Sequence, residues 1–207
     1  MVRKIVILFS VLLLGNVYAQ DSTNKFRYQS VLKGTATICP GISLNNPQTN
    51  IYINGDLEYF PEEHVSLRGE VFWFVGAQQK PALLQQNSCM MFGALYHFHK
   101  NRLDYFVGLE TGASLTKPND TNYDISFSHI PITVTPTSII SYDYKILPLI
   151  SPVTGITFYV SDYFNFFLNA RYVKANYFGY TNGKTLSLDE IRISAGLGFQ
   201  IHLKKKK

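Results

Sequence analysis

From Ile191 to Leu203 every odd position is apolar: Ile191, Ile193, Ala195, Leu197, Phe199, Ile201 and Leu203. Every even position is polar or glycine: Arg192, Ser194, Gly196, Gly198, Gln200 and His202. Successive side chains of a strand point to opposite faces, so this stretch predicts a strand with one apolar and one polar face. Seven earlier stretches repeat the pattern. They are 34–43 (Ala36, Ile38, Pro40, Ile42), 51–60 (Ile51, Ile53, Leu57, Tyr59) and 65–75 (Val65, Leu67, Val71, Trp73, Val75). Then come "MFGALYHFH" (Phe92, Ala94, Tyr96, Phe98), 105–114 (Tyr105, Val107, Leu109), 151–160 (Ile156, Phe158, Val160) and "NFFLNARYV" (Phe166, Leu168, Ala170, Tyr172). Each suits a strand tilted across a bilayer, which takes about 9 to 11 residues.

Short and long connections alternate. "PEEH", "KNRLD" and "SDYFN" are short, whereas 44–50, 76–89, 115–148 and 180–189 are long. Tight periplasmic turns and long external loops are the layout of an outer-membrane barrel. The expected fold is therefore all-β: an eight-stranded antiparallel transmembrane β-barrel with both ends on the periplasmic side.

The charges decide which face points inward. Asp56, Glu58, Arg68, Glu70, Glu110, Arg171 and Arg192 all fall on polar faces, and the apolar faces carry no charge. A soluble barrel would have to pack Trp73, Phe92, Tyr96, Phe98, Phe158, Phe166, Tyr172 and Phe199 into its lumen. An eight-strand lumen is just wide enough for side chains to fill. The reverse arrangement puts glycines, serines and ion pairs inside and the aromatics in lipid, with Tyr59, Phe98 and Tyr105 in an interfacial girdle.

The N-terminus agrees with export. "MVRKIVILFSVLLLGNVYAQ" has a basic start, an apolar run and a small-residue site after Ala19, the marks of a cleaved signal peptide over 1–19. No cysteine stands at the cleavage point, so a lipoprotein is not expected. The organisation that follows is a periplasmic N-terminal segment (20–32), a barrel (33–203) and a lysine tail (204–207). Charged residues make up 16% of the chain, low for a soluble domain at about 25%. The net charge of +5 resides in the signal peptide and the lysine tail, so it gives no reason to expect a nucleic-acid partner.

The signal peptide, the eight strands, "IRISAGLGFQIHL" and "ISPVTGITFYVSDYFNFFLNARYV" together resemble porin-family outer-membrane β-barrel domains of the OmpA and OmpX type. The resemblance covers nearly the whole mature chain. It implies location in the outer membrane of a Gram-negative-type bacterium, contact with outer-membrane lipid and insertion by the barrel assembly machinery. It says little about activity, since the fold hosts adhesins, structural proteins, narrow channels and lipid-modifying enzymes. Such barrels often end on an aromatic residue, whereas here Leu203 and four lysines follow Phe199.

Candidate chemistry is confined to a few groups. The seven charges above form a lumen ion-pair network. The turn at "PEEH" sets Arg68 opposite Glu58 in one register and opposite Asp56 in the other. His97 and His99 share the lumen face of one strand and His64 starts its neighbour, with His202 across the barrel. No carboxylate or thiol is clearly placed to complete a metal site, so water-contacting rim residues and no metal are expected. His64, Ser66 and Glu70 have the residue types of an acyl-transfer triad, but they face the lumen beside a periplasmic turn, and no enzyme is expected. Cys39 and Cys89 fall on strands that are not neighbours and are expected as free buried thiols. No cofactor is expected. The expected function is a non-enzymatic structural or surface-interaction role through the external loops, with an extracellular ligand at the 116–148 loop. The alternatives are a narrow pore for ions or small solutes and, third, a lipid-modifying enzyme. That loop is rich in Ile, Val, Thr and Tyr, which predicts a β-rich ledge interrupted at Pro131 and Pro136.

Overall fold

A computed structural model describes residues 30–46, 48–80, 82–119, 121–123, 138–140, 142–180 and 184–203. The signal-peptide stretch, residues 20–29, the lysine tail, and Pro131 and Pro136 lie outside the described residues. Twelve strands follow in order: β1 (Val31–Ser43), β2 (Thr49–Tyr59), β3 (Val65–Ala77), β4 (Leu84–Lys100), β5 (Leu103–Pro118), β6 (Thr121–Tyr123), β7 (Ser138–Ile140), β8 (Lys145–Tyr159), β9 (Phe164–Val173), β10 (Asn176–Tyr180), β11 (Lys184–Ser187) and β12 (Glu190–His202). Eight of them close an antiparallel barrel in the cyclic order β1-β12-β9-β8-β5-β4-β3-β2. The other four form two small sheets, β6–β7 and β10–β11, within the long connections. No helix among the described residues is long and apolar enough to cross a membrane.

Every face predicted from the alternation is oriented as expected. Ile38, Trp73, Phe92, Phe166 and Leu197 point outward, with Trp73 62% and Leu197 60% exposed. Glu58, Arg68, Glu70, Glu110, Arg171 and Arg192 point into the lumen, none more than 4% exposed. An outer wall this apolar is stable only against an apolar medium, because each large side chain left in water forgoes about 1.5 to 3 kcal/mol. Two outward glycines lie under rings from the next strand. Gly69 is in register with Phe92 and Gly34 with Phe199. A Cβ at Gly34 would come within 2.7 Å of the Phe199 ring.

The strands run further than the sequence implies. The connection expected at 76–89 shrinks because β4 already begins at Leu84. The short connection "KNRLD" reduces to Asn101 and Arg102, with Lys100 in register with Leu103. Asn101 adopts the left-handed conformation (φ 58°), which asparagine tolerates and a tight hairpin needs. β4 and β5 have 17 and 16 residues, well beyond the roughly 9 to 11 that span a bilayer. Their excess projects at the end away from this turn, where β6–β7 continues the described part of the 116–148 connection.

Prolines mark the slack places in the wall. The β1–β12 ladder pairs Thr35 with Gly198 and Gly41 with Arg192, and has no paired residues between. Pro40 lies in that gap and cannot donate to the ladder. The Thr37 hydroxyl partly fills it, donating to the Ala195 carbonyl at 2.7 Å. Two ladders further round the barrel, β8–β9 pairing stops at Val153, next to Pro152. Beyond it a single bridge, Ile150 to Lys174, holds the strands together. There β9 gives way to the β10–β11 hairpin, whose Tyr177 and Leu186 join Leu84, Leu147, Leu149, Val173 and Leu188 in an apolar cluster at that end.

Candidate functional site in the barrel lumen

Inward parity on six strands gathers the ionisable side chains into one column. The β2–β3 hairpin takes the register that sets Arg68 opposite Glu58. Arg68 reaches Glu58 at 3.3 Å and Glu70 at 3.1 Å, and Lys33 reaches Glu58 at 2.5 Å. Arg171, from β9, crosses the lumen to bind Glu70 at 2.5 Å and Glu110 at 2.6 Å. Arg192 binds Glu190 at 2.8 Å, and Glu190 also accepts bonds from Asn50 and from the Tyr52 hydroxyl. Aromatic rings fill the space between the charges. The Arg68 guanidinium lies 4.5 Å from the Phe106 ring, Arg171 5.0 Å from Phe72, and Arg192 4.1 Å from Tyr52. Weakly hydrated guanidinium planes stack well on such rings. Alternating cation, ring and carboxylate thus satisfies charges that would be costly if left alone.

Asp56 departs from the sequence expectation. It faces the lumen but lies in register with Glu70, a like charge. Its hydrogen bond comes from the Thr35 hydroxyl, not from an arginine. The register chosen at the "PEEH" turn gives Arg68 to Glu58 instead.

The turn end of the lumen holds a second cluster. Three imidazole rings stack, His64 on His99 (5.5 Å) and His99 on His97 (5.6 Å). Asp104 sits opposite His99 across the two-residue turn, so the hairpin itself brings the two together. Asp104 lies 3.0 Å from His97 Nδ1 and 3.1 Å from His99 Nδ1, and accepts from the Tyr159 hydroxyl at 3.3 Å. The expectation that no carboxylate completes the histidine set is therefore corrected: Asp104 does so. His97 is also fully buried, not a water-contacting rim residue.

The suggested triad is not assembled from His64, Ser66 and Glu70. His64 uses Nδ1 to bond the His97 carbonyl at 3.0 Å, and Glu70 is held by Arg68 and Arg171. Ser66 instead meets His97 Nε2 at 2.8 Å, and His97 meets Asp104, which is the residue order of a triad on different members. The proton traffic is wrong for a nucleophile, however. Ser66 donates its hydroxyl proton to Glu58 at 2.6 Å, so its contact with His97 is one in which it accepts. Both Ser66 and His97 are closed to solvent.

The lumen residues missed from sequence are Lys33, Asp104 and Glu190, each just outside a predicted strand end. All three keep the parity of their strands, so extending the alternation by one or two residues would have found them. Cys39 and Cys89 are free and buried, as expected, and Arg192 donates to the Cys89 sulfur at 3.0 Å.

No protein-family model matches the chain, and no curated protein sequence matches it. Solved structures do. The N-terminal β-barrel domain of Pseudomonas aeruginosa OprF is 15% identical, with a TM-score of 0.55, over 84% of this chain and 98% of that one. Neisserial surface protein A is 10% identical, with a TM-score of 0.57, over 84% and 96%. The outer membrane protein OprG of P. aeruginosa is 8% identical, with a TM-score of 0.53, over 85% and 98%. At such identities the likeness is one of fold. The chain has the architecture of the small outer-membrane β-barrels: eight antiparallel strands closed on themselves.

Proposed function

We propose that this chain resides in the outer membrane as a plugged, non-enzymatic barrel that presents its long connections at the cell surface for interaction. The observation that carries the proposal is the sealed lumen. Glu58 and Glu110 are 0% exposed and Arg171 4%. A water-filled bore running past these groups would leave them wet. Ion pairs and stacked rings across the column support a wall-to-wall plug. The extension of β4, β5 and β8 and the added β6–β7 and β10–β11 sheets support a role for the opposite end from the tight turns. Exposed Tyr144, Ile146 and Phe178 there offer contact surface.

Planar-bilayer recording on the refolded chain tests the plug: no discrete conductance steps are expected, and ohmic steps would turn the assignment to a narrow pore. Replacing residues 119–143 by a short Gly-Ser linker tests the surface role. Folding should survive while binding of the barrel to cell surfaces or matrix is lost; retained binding would move the role elsewhere.

A further inference from the structure

We propose that His97, His99 and Asp104 form a binding site for a divalent first-row transition-metal ion at the turn end of the lumen. One donor atom from each of the three lies within 4.8 Å of the others. The carboxylate-to-imidazole distances of 3.0 and 3.1 Å approach the donor spacing of a tetrahedral site, about 3.4 Å for bonds of about 2.0 to 2.1 Å. Two imidazoles and one carboxylate leave a fourth position for water, and such a set suits zinc and its neighbours better than calcium or magnesium.

The outer hydrogen bonds point the same way. His99 Nε2 is 2.6 Å from the Glu63 carbonyl oxygen, which can only accept, so this nitrogen carries the hydrogen. In neutral His99 the lone pair is then on Nδ1, aimed at Asp104. His97 Nε2 faces the Ser66 hydroxyl and, at 3.0 Å, Glu58, both able to accept from it. Its Nδ1 is again the nitrogen facing Asp104. Two lone pairs converging on a carboxylate repel one another unless a proton or a metal cation sits among them, and a metal ion would satisfy both imidazoles and the carboxylate together. Metal-binding histidines are commonly held in this way, with the far N–H donated to a carbonyl or carboxylate.

The charge inventory supplies an independent reason. Among the described residues, the buried carboxylates of the lumen are Asp56, Glu58, Glu70, Asp104, Glu110 and Glu190. The buried lysines and arginines are four: Lys33, Arg68, Arg171 and Arg192. None of these four ion-pairs with Asp104, whose charged partners are His97 and His99. One divalent cation would close the two-charge deficit. Among these groups Asp56 is the other buried carboxylate without a lysine or arginine partner, and its hydrogen bond comes from Thr35. Asp104 alone faces two imidazoles, so a divalent cation placed there would meet a carboxylate and both rings at once.

Untagged barrel, refolded in detergent and stripped with chelator, is titrated with Zn²⁺ by calorimetry and with Co²⁺ by visible absorption. One equivalent should bind, with the intense bands of four-coordinate Co²⁺. His99→Gln and Asp104→Asn should each weaken binding by about tenfold or more, while His202→Gln, on the opposite wall, should bind as wild type does. Absence of binding to the wild-type barrel, or equal affinity in folded His99→Gln and Asp104→Asn, overturns the proposal. Should those variants fail to fold, the imidazole signals of the wild type decide. Zn²⁺ should shift those of His97 and His99; a shift of His202 alone contradicts the site.

Discussion

Replacing Arg171 by methionine should orphan a buried carboxylate. Arg171 bridges Glu70 and Glu110 at 2.5 and 2.6 Å, and Glu70 keeps Arg68 at 3.1 Å when it is gone. Glu110, at 0% exposure, keeps no ion pair of its own. Breaking a buried pair from one side costs about 3 to 5 kcal/mol. The lost stacking on Phe72 adds about 0.5 to 2 kcal/mol. Methionine retains much of the volume, so a cavity contributes little. The double variant Arg171→Met with Glu110→Gln removes both charges. Because a buried pair replaced by neutral groups of similar size is often close to neutral, it should lie within about 2 kcal/mol of wild type. Urea unfolding in lipid vesicles, followed through the single tryptophan, Trp73, gives both numbers. If the single variant loses less than about 1 kcal/mol, or the double variant is the less stable, the lumen is hydrated and the plug is wrong.

The face assignment predicts a second asymmetry: Leu197→Arg, on the outer wall, should cost about 2 to 4 kcal/mol in vesicles. Ser194→Arg, pointing into the lumen, should disturb packing without touching lipid; equal stability of Leu197→Arg and wild type would reverse the faces. Tags after Gln79 or Asn119 should be reachable from outside intact cells and tags after Glu63 or Asn101 should not, and the opposite pattern would invert the topology. Cys39 and Cys89 should resist alkylation until the barrel is unfolded, with no change in gel mobility on reduction; rapid labelling of the folded barrel would show that the lumen admits water.

Alternation made the barrel legible because the period of two survives in every wall strand, and because lipid and lumen impose opposite chemistries on its two faces. The order of Arg171 and Glu110 across the lumen was not legible. They lie on strands separated by β8, so two successive registers set their distance, and only closure of the barrel brings Arg171 to Glu70 on the opposite wall. Asp104 escapes the alternation because "KNRLD" reads as a five-residue connection, whereas the turn is two residues long and sets Asp104 opposite His99. The partner of Asp56 stays open in the sequence because a one-residue shift of the "PEEH" turn decides whether Arg68 faces Glu58 or Asp56. The inward aromatics Phe72 and Phe106 were hidden for a different reason: polarity patterns cannot separate a ring that stacks on a guanidinium from a ring that faces lipid, and strand parity alone does so.

The central claim is that the apolar face of every wall strand meets lipid, and Trp73 reports on it directly. Its ring is on the outer face of β3, with Phe72 and Phe74 of the same strand buried in the lumen. Fluorescence of the refolded wild-type chain is measured in vesicles carrying brominated acyl chains and, separately, with acrylamide in the water. Strong quenching by the bromines and almost none by acrylamide is the predicted result. Strong quenching by acrylamide, with the bromines without effect, would place that face in water and contradict the account.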